Sequence, residues 1–158
     1  MLDALNTLRG VNVQFVDVPY HGWASVPEAL EGMTSVTSLM LDGNRIKGGW
    51  ERLRPLRELR VLSLGGCDLM KVPAALAGME SMTGLNLSRS SIVRGWERLS
   101  SLRQLRELDL YNCGLTELSA VLEGMESLNR LELSGIHVER GWERLRPLHQ
   151  LWELDLYN

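Results

Sequence analysis

An apolar pattern, L-x-x-L-x-L, recurs through this chain at a fixed interval of 23 residues, and that interval leaves few folds open. Seven copies occur in the 158 residues without an insertion or deletion. A unit of this length cannot bury its apolar face alone, so neighbouring units must stack and share one core. The positions that we expect in that core are Val13/Val16/Val18, Val36/Leu39/Leu41, Leu59/Leu62/Leu64, Met82/Leu85/Leu87, Leu105/Leu108/Leu110, Leu128/Leu131/Leu133 and Leu151/Leu154/Leu156.

A second period of 46 residues shows that two kinds of repeat alternate. The first kind occupies residues 26–33, 72–79 and 118–125, with Pro27 and Pro73 in two copies and Ser119 in the third. The second kind carries Gly-Trp-Glu-Arg-Leu at residues 49–53, 95–99 and 141–145, and we expect its tryptophan to cover the outer edge of every second repeat. Duplication of a 46-residue unit and deliberate consensus design would both produce this alternation.

The segment before the first repeat has a different character. Leu2, Leu5, Leu8 and Val11 have the spacing of a short amphipathic segment that would cover the first repeat. We therefore predict an N-terminal cap segment at residues 1–12. A repeat domain follows at residues 13–158, made of six 23-residue repeats and a final strand.

Residues 59–69 and 105–115 both match L-x-x-L-x-L-x-x-N/C-x-L. This pattern resembles that of leucine-rich repeat proteins, and the resemblance covers residues 13–158. It implies an α/β solenoid, a right-handed superhelix in the shape of a horseshoe arc. A seven-strand parallel sheet would line its concave side, and short helical or 3-10 segments its convex side. Through Pro27 and Pro73 the first kind of repeat also resembles the 23-residue repeats of intracellular Ras-group and Scribble-like leucine-rich repeat proteins.

Composition and motifs exclude several classes of function. With 17 Lys and Arg against 20 Asp and Glu, the chain lacks the basic stripe of a nucleic-acid binder. No apolar run approaches the roughly 20 residues that span a bilayer, and residues 1–9 do not read as a signal peptide. No catalytic or phosphate-binding motif is present, and a smooth, repeated strand face predicts no pocket in which carboxylates could do acid–base work. We expect no enzyme activity and no cofactor.

The two cysteines, Cys67 and Cys113, occupy the same pattern position two strands apart. Two strand spacings amount to about 9.6 Å, which is beyond the ~7 Å limit for a disulfide. We therefore expect free thiols without a metal, in a polar ladder that also contains Asn44 and Ser90. So few cysteines predict an intracellular, cytoplasmic protein.

The concave face is the surface on which leucine-rich repeat families usually bind partners. Its first half shows small, neutral side chains, whereas the last three strands show acidic ones with aromatic neighbours. Such a surface suits a basic segment of a protein partner, although a solvated sheet face that keeps the protein soluble would look similar. The candidate partner-binding residues are Glu107, Asp109, Tyr111, Arg130, Glu132, Trp152, Glu153, Asp155 and Tyr157.

The end of the repeat array supports an alternative function. The sequence stops at Tyr157-Asn158, immediately after the seventh strand, and we expect Leu151, Leu154 and Leu156 to be uncovered. An uncovered edge strand and core end invite pairing with another chain. The alternative is a structural scaffold that forms homo-oligomers through this C-terminal end, or a fragment of a longer repeat protein.

Overall fold

A computed structural model describes residues 2–8, 10–118, 121–122 and 124–157 of the chain. Met1, Arg9, Ser119, Ala120, Glu123 and Asn158 lie outside the described residues, as does the side chain of Leu2. Helix α1 spans Leu2–Thr7. The strands are β1 Phe15–Asp17, β2 Ser38–Met40, β3 Val61–Ser63, β4 Gly84–Asn86, β5 Glu107–Asp109, β6 Arg130–Glu132 and β7 Glu153–Asp155. Short 3-10 helices lie at Glu28–Gly32, Trp50–Leu53, Ala74–Leu76, Trp96–Ser101 and Trp142–Leu145.

The strands form one parallel sheet in the order β1 to β7. Each strand pairs with the next at an offset of 23 residues, so Leu39 lies beside Leu62 and Leu62 beside Leu85. The prediction of a seven-strand parallel sheet with short 3-10 segments is confirmed. The register follows from the apolar interval, because a slip by one residue would turn every strand leucine out of the core.

The core runs the length of the stack, between the sheet and the 3-10 segments. The central strand leucines Leu39, Leu62, Leu85, Leu108 and Leu131 are all buried. This burial decreases at the C-terminal end, where the equivalent Leu154 is 36% exposed and Leu156 is 46% exposed. The expectation that Leu154 and Leu156 lie in the core is therefore wrong, because nothing in the described structure packs over this end of the stack.

The Gly-Trp-Glu-Arg-Leu motif joins neighbouring repeats through its arginine. Gly49 and Gly95 have positive φ, and a Cβ on Gly49 would lie 2.4 Å from Ser25 Oγ and 3.0 Å from the carbonyl oxygen of Val26. The Arg52 guanidinium donates to that carbonyl at 2.6 Å, and Arg98 donates in the same way to the carbonyl of Val72. The arginine, rather than the tryptophan alone, therefore fills the space beside the glycine.

The tryptophans of this motif differ from one another. Trp96 is buried and Trp50 is half-buried against the core, whereas Trp142 is exposed. The expectation that each covers the outer edge is wrong for Trp142. Leu154 and Leu156 are also less buried than their equivalents in earlier repeats. Burial therefore decreases towards the C-terminal end of the stack, where Trp142 also lies.

Helix α1 lies against the first 3-10 segment, Glu28–Gly32. Leu5 is buried in the core and Leu8 is partly buried, but Val11 is exposed and makes no part of a cover. The division into a cap at residues 1–12 and a repeat domain at residues 13–158 stays a prediction. No helix among the described residues is long and apolar enough to cross a membrane.

The polar ladder ties the backbone of one repeat to the next. The amide of Asn44 donates to the carbonyls of Val18 and Leu41 at 2.9 Å, and its oxygen accepts from two backbone N–H groups. Cys67 Sγ lies 3.1 Å from the carbonyl oxygen of Leu41. Both cysteines are free thiols and buried, as predicted.

Candidate functional site

The concave face consists of the first and third side chains of each strand, which alternate with the buried central residue. In β5, for example, Glu107 and Asp109 point away from the core and Leu108 points into it. The parallel register then sets side chains from neighbouring strands next to each other, with Glu107 beside Arg130 and Asp109 beside Glu132. Every candidate residue on a strand therefore lies on the predicted face.

A depression of ≈ 310 Å³ crosses this face from β2 to β6. It is lined by Met40, Val61, Leu62, Ser63, Gly84, Leu85, Asn86, Glu107, Leu108, Asp109, Arg130 and Glu132. The expectation of a face without a pocket is therefore wrong. The physical reason is Gly84, which has no side chain and lies in register between Val61 and Glu107.

Three carboxylates stand on one side of the depression, from Glu107, Asp109 and Glu132. Partial burial raises the pKa of Asp109 above its usual value, and the negative charge of Glu132 raises it further. The backbone N–H of Tyr111 and the charges of Arg130 and Arg89 act in the opposite direction without cancelling the rise. Burial and the neighbouring carboxylate of Glu132 therefore outweigh the groups that stabilise the charged form of Asp109.

Three polar side chains of the depression, those of Asn86, Asp109 and Glu132, belong to the last residue of their strands. Each accepts a hydrogen bond from the backbone N–H two residues further along, as a side-chain oxygen does in an Asx-turn. These bonds are Ser88 to Asn86 at 2.8 Å, Tyr111 to Asp109 at 2.9 Å and Ser134 to Glu132 at 2.6 Å. Sequence reasoning assigned the acidic residues to a partner-binding or a solvated face and missed this role in the turns.

The cation nearest to these carboxylates already has a partner. Arg130 Nε lies 2.9 Å from Glu153 Oε1 on the neighbouring strand β7. Within the described part of the chain, Glu107, Asp109 and Glu132 form no ion pair. Arg130 pairs with Glu153 and its charge also acts on Asp109, so this one arginine faces the carboxylates of β5, β6 and β7, and negative charge is in excess there.

The aromatic candidates lie outside the depression and apart from each other. The ring of Tyr111 lies 5.6 Å from the guanidinium carbon of Arg89, a cation–π contact. Trp152 precedes β7 and is 74% exposed, whereas Tyr157 follows the strand and is 87% exposed. The two side chains therefore lie at opposite ends of β7.

The structure thus divides the candidate residues into two groups. Glu107, Asp109, Arg130 and Glu132 meet in the depression. Tyr111, Trp152, Glu153, Asp155 and Tyr157 lie around it. Sequence reasoning described the small, neutral side chains in the first half of the face but did not include them in the site, although Gly84 was the available signal. Gly84 occupies the third position of the pattern, and all the other repeats have a residue with a side chain at that position.

No metal centre accompanies this surface. Among the described residues, no group of three or more His, Cys, Asp or Glu side chains is placed to hold a metal ion. The thiols of Cys67 and Cys113 are buried, and burial raises the pKa of each to about 11, so both are protonated and poor ligands at neutral pH.

Comparisons with known proteins place this architecture in a family. Residues 104–125 match the family model described as Leucine Rich Repeat. Internalin C2 from Listeria monocytogenes is similar in structure, with a TM-score of 0.70 and 17% identity, over 98% of this chain and 81% of that one. A leucine-rich repeat protein from Leptospira interrogans gives a TM-score of 0.76 and 20% identity, over 99% of this chain and 45% of that one. No curated protein matches in sequence.

The two structural likenesses show the fold, and the family model identifies one repeat by its sequence. The same apolar pattern recurs at the same interval in the six other copies, and the described strands stack in one parallel sheet. The resemblance to Ras-group and Scribble-like repeats stays a prediction. The chain has the leucine-rich repeat fold, and residues 104–125 match the sequence model of the Leucine Rich Repeat family.

Proposed function

We propose that the chain is a non-enzymatic interaction module that binds a basic segment of a partner protein on its concave face. Leucine-rich repeat proteins are generally scaffolds of this kind. The observation that carries the proposal is the depression lined by Glu107, Asp109 and Glu132, none of which forms an ion pair among the described residues. A basic segment would supply the missing positive charge.

The physical case combines electrostatics with shape. Like charges on Asp109 and Glu132 lie side by side on neighbouring strands. A cation between them would relieve their repulsion, and complementary charge would also speed the encounter of the two proteins. Exposed rings at Tyr111, Trp152 and Tyr157 would add apolar contact area around the charged centre.

The test is a selection of peptides from a random displayed library on the purified protein. Binding of the selected peptides is then measured on a concave variant, Asp109→Asn with Glu132→Gln. The matched control is a convex variant, Glu51→Gln with Glu143→Gln, which loses the same charge from exposed positions in two 3-10 segments. Asn and Gln keep the side-chain oxygens that accept from the backbone, as Asn86 already does.

We expect the selected peptides to be rich in Lys and Arg. They should bind the concave variant at least ~10-fold more weakly than the wild type and bind the convex variant almost as well. A tenfold change corresponds to about 1.4 kcal/mol, a size typical of one lost charged contact. Equal binding to the wild type and the concave variant would remove the acidic face as the binding surface.

A second candidate function is self-association through the C-terminal end of the stack. The supporting observation is the exposure of Leu154 and Leu156, whose equivalents Leu108 and Leu110 are buried. Antiparallel pairing of two β7 strands would oppose Glu153 with Asp155 of the other copy, and like charges in that position destabilise a sheet. End-to-end packing of the exposed leucines would avoid this repulsion.

Light scattering after size-exclusion chromatography, across a hundredfold range of concentration, tests this second candidate. Self-association predicts a molar mass that rises with concentration for the wild type and stays monomeric for Leu154→Lys. A monomer at every wild-type concentration would eliminate it. An intracellular, cytoplasmic location stays a prediction under either function.

A further inference from the structure

We propose that the depression at Gly84 receives one long basic side chain, a lysine or an arginine, from the partner segment, and that this residue is the anchor of the complex. The inference deepens the proposed function and rests on it, because it names the group that enters the concave face. Its basis is the position of one missing side chain next to three carboxylates.

The floor of the depression is apolar and suits the aliphatic stem of such a side chain. Gly84 is buried and in register with Val61 on β3, which is half-buried, and Met40 on β2 lines the same space. Long basic side chains commonly lay their methylene groups along apolar surface while the charged end reaches polar groups. The stem would therefore lie over Gly84 and contact Val61.

The charged end would meet β5 and β6. Gly84 is in register with Glu107, Asn86 with Asp109, and Asp109 with Glu132. The carboxylates of Glu107, Asp109 and Glu132 thus form one corner of the depression. A cation above this corner would lie near all three. Arg130 lines the same depression and its charge lowers the pKa of Asp109. Its Nε also pairs with Glu153 at 2.9 Å, so one arginine is shared among four carboxylates and negative charge remains in excess. The native structure thus leaves the corner open to a cation from outside.

Other kinds of side chain fit less well. A purely apolar side chain would displace water from the carboxylates without replacing the lost hydrogen bonds, which costs free energy. An acidic side chain would add repulsion to a corner in which the pKa of Asp109 is already raised. The combination of a long aliphatic stem with a terminal cation satisfies both sides of the depression.

The experiment compares two peptides that differ in one charge. The ¹⁵N-labelled protein is titrated, with amide chemical shifts recorded by NMR, with acetyl-Gly-Lys-Gly-amide and with acetyl-Gly-norleucine-Gly-amide. Norleucine retains the aliphatic stem and lacks the ammonium group. We expect the lysine peptide to shift amides of β3, β4 and β5 near Gly84, and the norleucine peptide to bind at least ~10-fold more weakly, a loss of about 1.4 kcal/mol.

The variant Gly84→Val tests the shape of the site without changing its charge. A Cβ at Gly84 would lie in ordinary contact with Val61, at 3.5 Å from its Cγ2, and the backbone φ of Gly84 is not positive. The variant should therefore fold, while its side chain fills the depression. We expect it to lose the shifts caused by the lysine peptide. The concave variant, which removes two of the three carboxylates and leaves the shape of the site, should reduce these shifts as well.

The outcomes separate this inference from the proposed function. Equal binding of the two peptides, or unchanged lysine binding by Gly84→Val, would overturn the anchor. So would shifts confined to Tyr111, Trp152 and Tyr157, although basic peptides would then still bind the concave face. Failure of the proposed function would be seen in the library experiment instead, as selected peptides that bind the concave variant as tightly as the wild type.

Discussion

The backbone N–H of Tyr111 donates a hydrogen bond of 2.9 Å to Oδ1 of Asp109, so the carboxylate that lines the depression also ends strand β5. One side chain therefore has a structural and a proposed binding role. The two roles depend on different properties, because the turn requires an acceptor oxygen and the partner requires a negative charge. A substitution that keeps the acceptor oxygen of Asp109 and removes its negative charge can therefore distinguish the structural role from the binding role.

The first prediction concerns the stability of Asp109 variants. Asp109→Asn keeps the acceptor, as Asn86 does with Ser88 at 2.8 Å, and should unfold in urea at the wild-type midpoint or slightly above. Asp109→Leu loses the hydrogen bond and should lower the free energy of unfolding by about 1 kcal/mol. Equal stability of the Asn and Leu variants would show that the turn does not need the oxygen.

The second prediction concerns the pKa of Asp109, which is raised by burial and by Glu132. Titration of its carboxyl carbon by NMR should give a pKa above the ordinary value of about 3.9. In Glu132→Gln the pKa should move down towards that value, because one source of repulsion is gone. A pKa at or below the ordinary value in the wild type would contradict the description of the corner as under-neutralised.

The raised pKa also determines how stability depends on pH. Between the unfolded pKa, near 3.9, and the raised folded pKa, the folded state binds more protons than the unfolded state. The contribution of Asp109 to stability is therefore greatest below this window and is lost as pH rises through it. The advantage of Asp109→Asn over the wild type should accordingly be larger at pH 7 than at pH 3, measured by urea unfolding.

The third prediction compares one substitution at two glycines. Gly66 has a φ of +65°, and a Cβ there would make only ordinary contacts, at 3.9 Å from the backbone of Gly43, so Gly66→Ala should cost about 1 kcal/mol through backbone strain alone. Gly84 lies in extended strand with room for a Cβ against Val61, so Gly84→Ala should stabilise the fold by roughly 0.5–1 kcal/mol. Urea unfolding of both variants checks the opposite signs, and a shared sign would refute the argument.

The fourth prediction concerns the thiols of Cys67 and Cys113, whose pKa values burial raises to about 11. At pH 8 both should react with a disulfide reagent far more slowly in the folded protein than in urea, because the thiolate is the reactive form. The stability they contribute is complete below the unfolded pKa of about 8.5 and is lost as pH rises towards 11. Rapid labelling of the folded protein at pH 8 would contradict this burial.

Sequence reasoning reached the candidate site only in part. It placed Glu107, Asp109 and Glu132 on the side of the sheet away from the core, where they lie, because alternation along a strand decides which side chains leave the core. It did not find the depression, whose shape depends on side chains from five neighbouring strands. It also grouped Trp152 with Tyr157, although the two residues lie at opposite ends of β7.

The repeat interval by itself determined the order of the strands, their parallel register and the identity of the buried apolar residues in strands β1 to β6. It could do so because an apolar residue every 23 positions has only one arrangement in which all copies are buried together. Tertiary structure alone decided that Arg130 pairs with Glu153, that Arg52 reaches the carbonyl of Val26, and that a gap opens at Gly84. These features depend on the distances and directions of side chains brought together from different repeats, which a one-dimensional pattern does not contain.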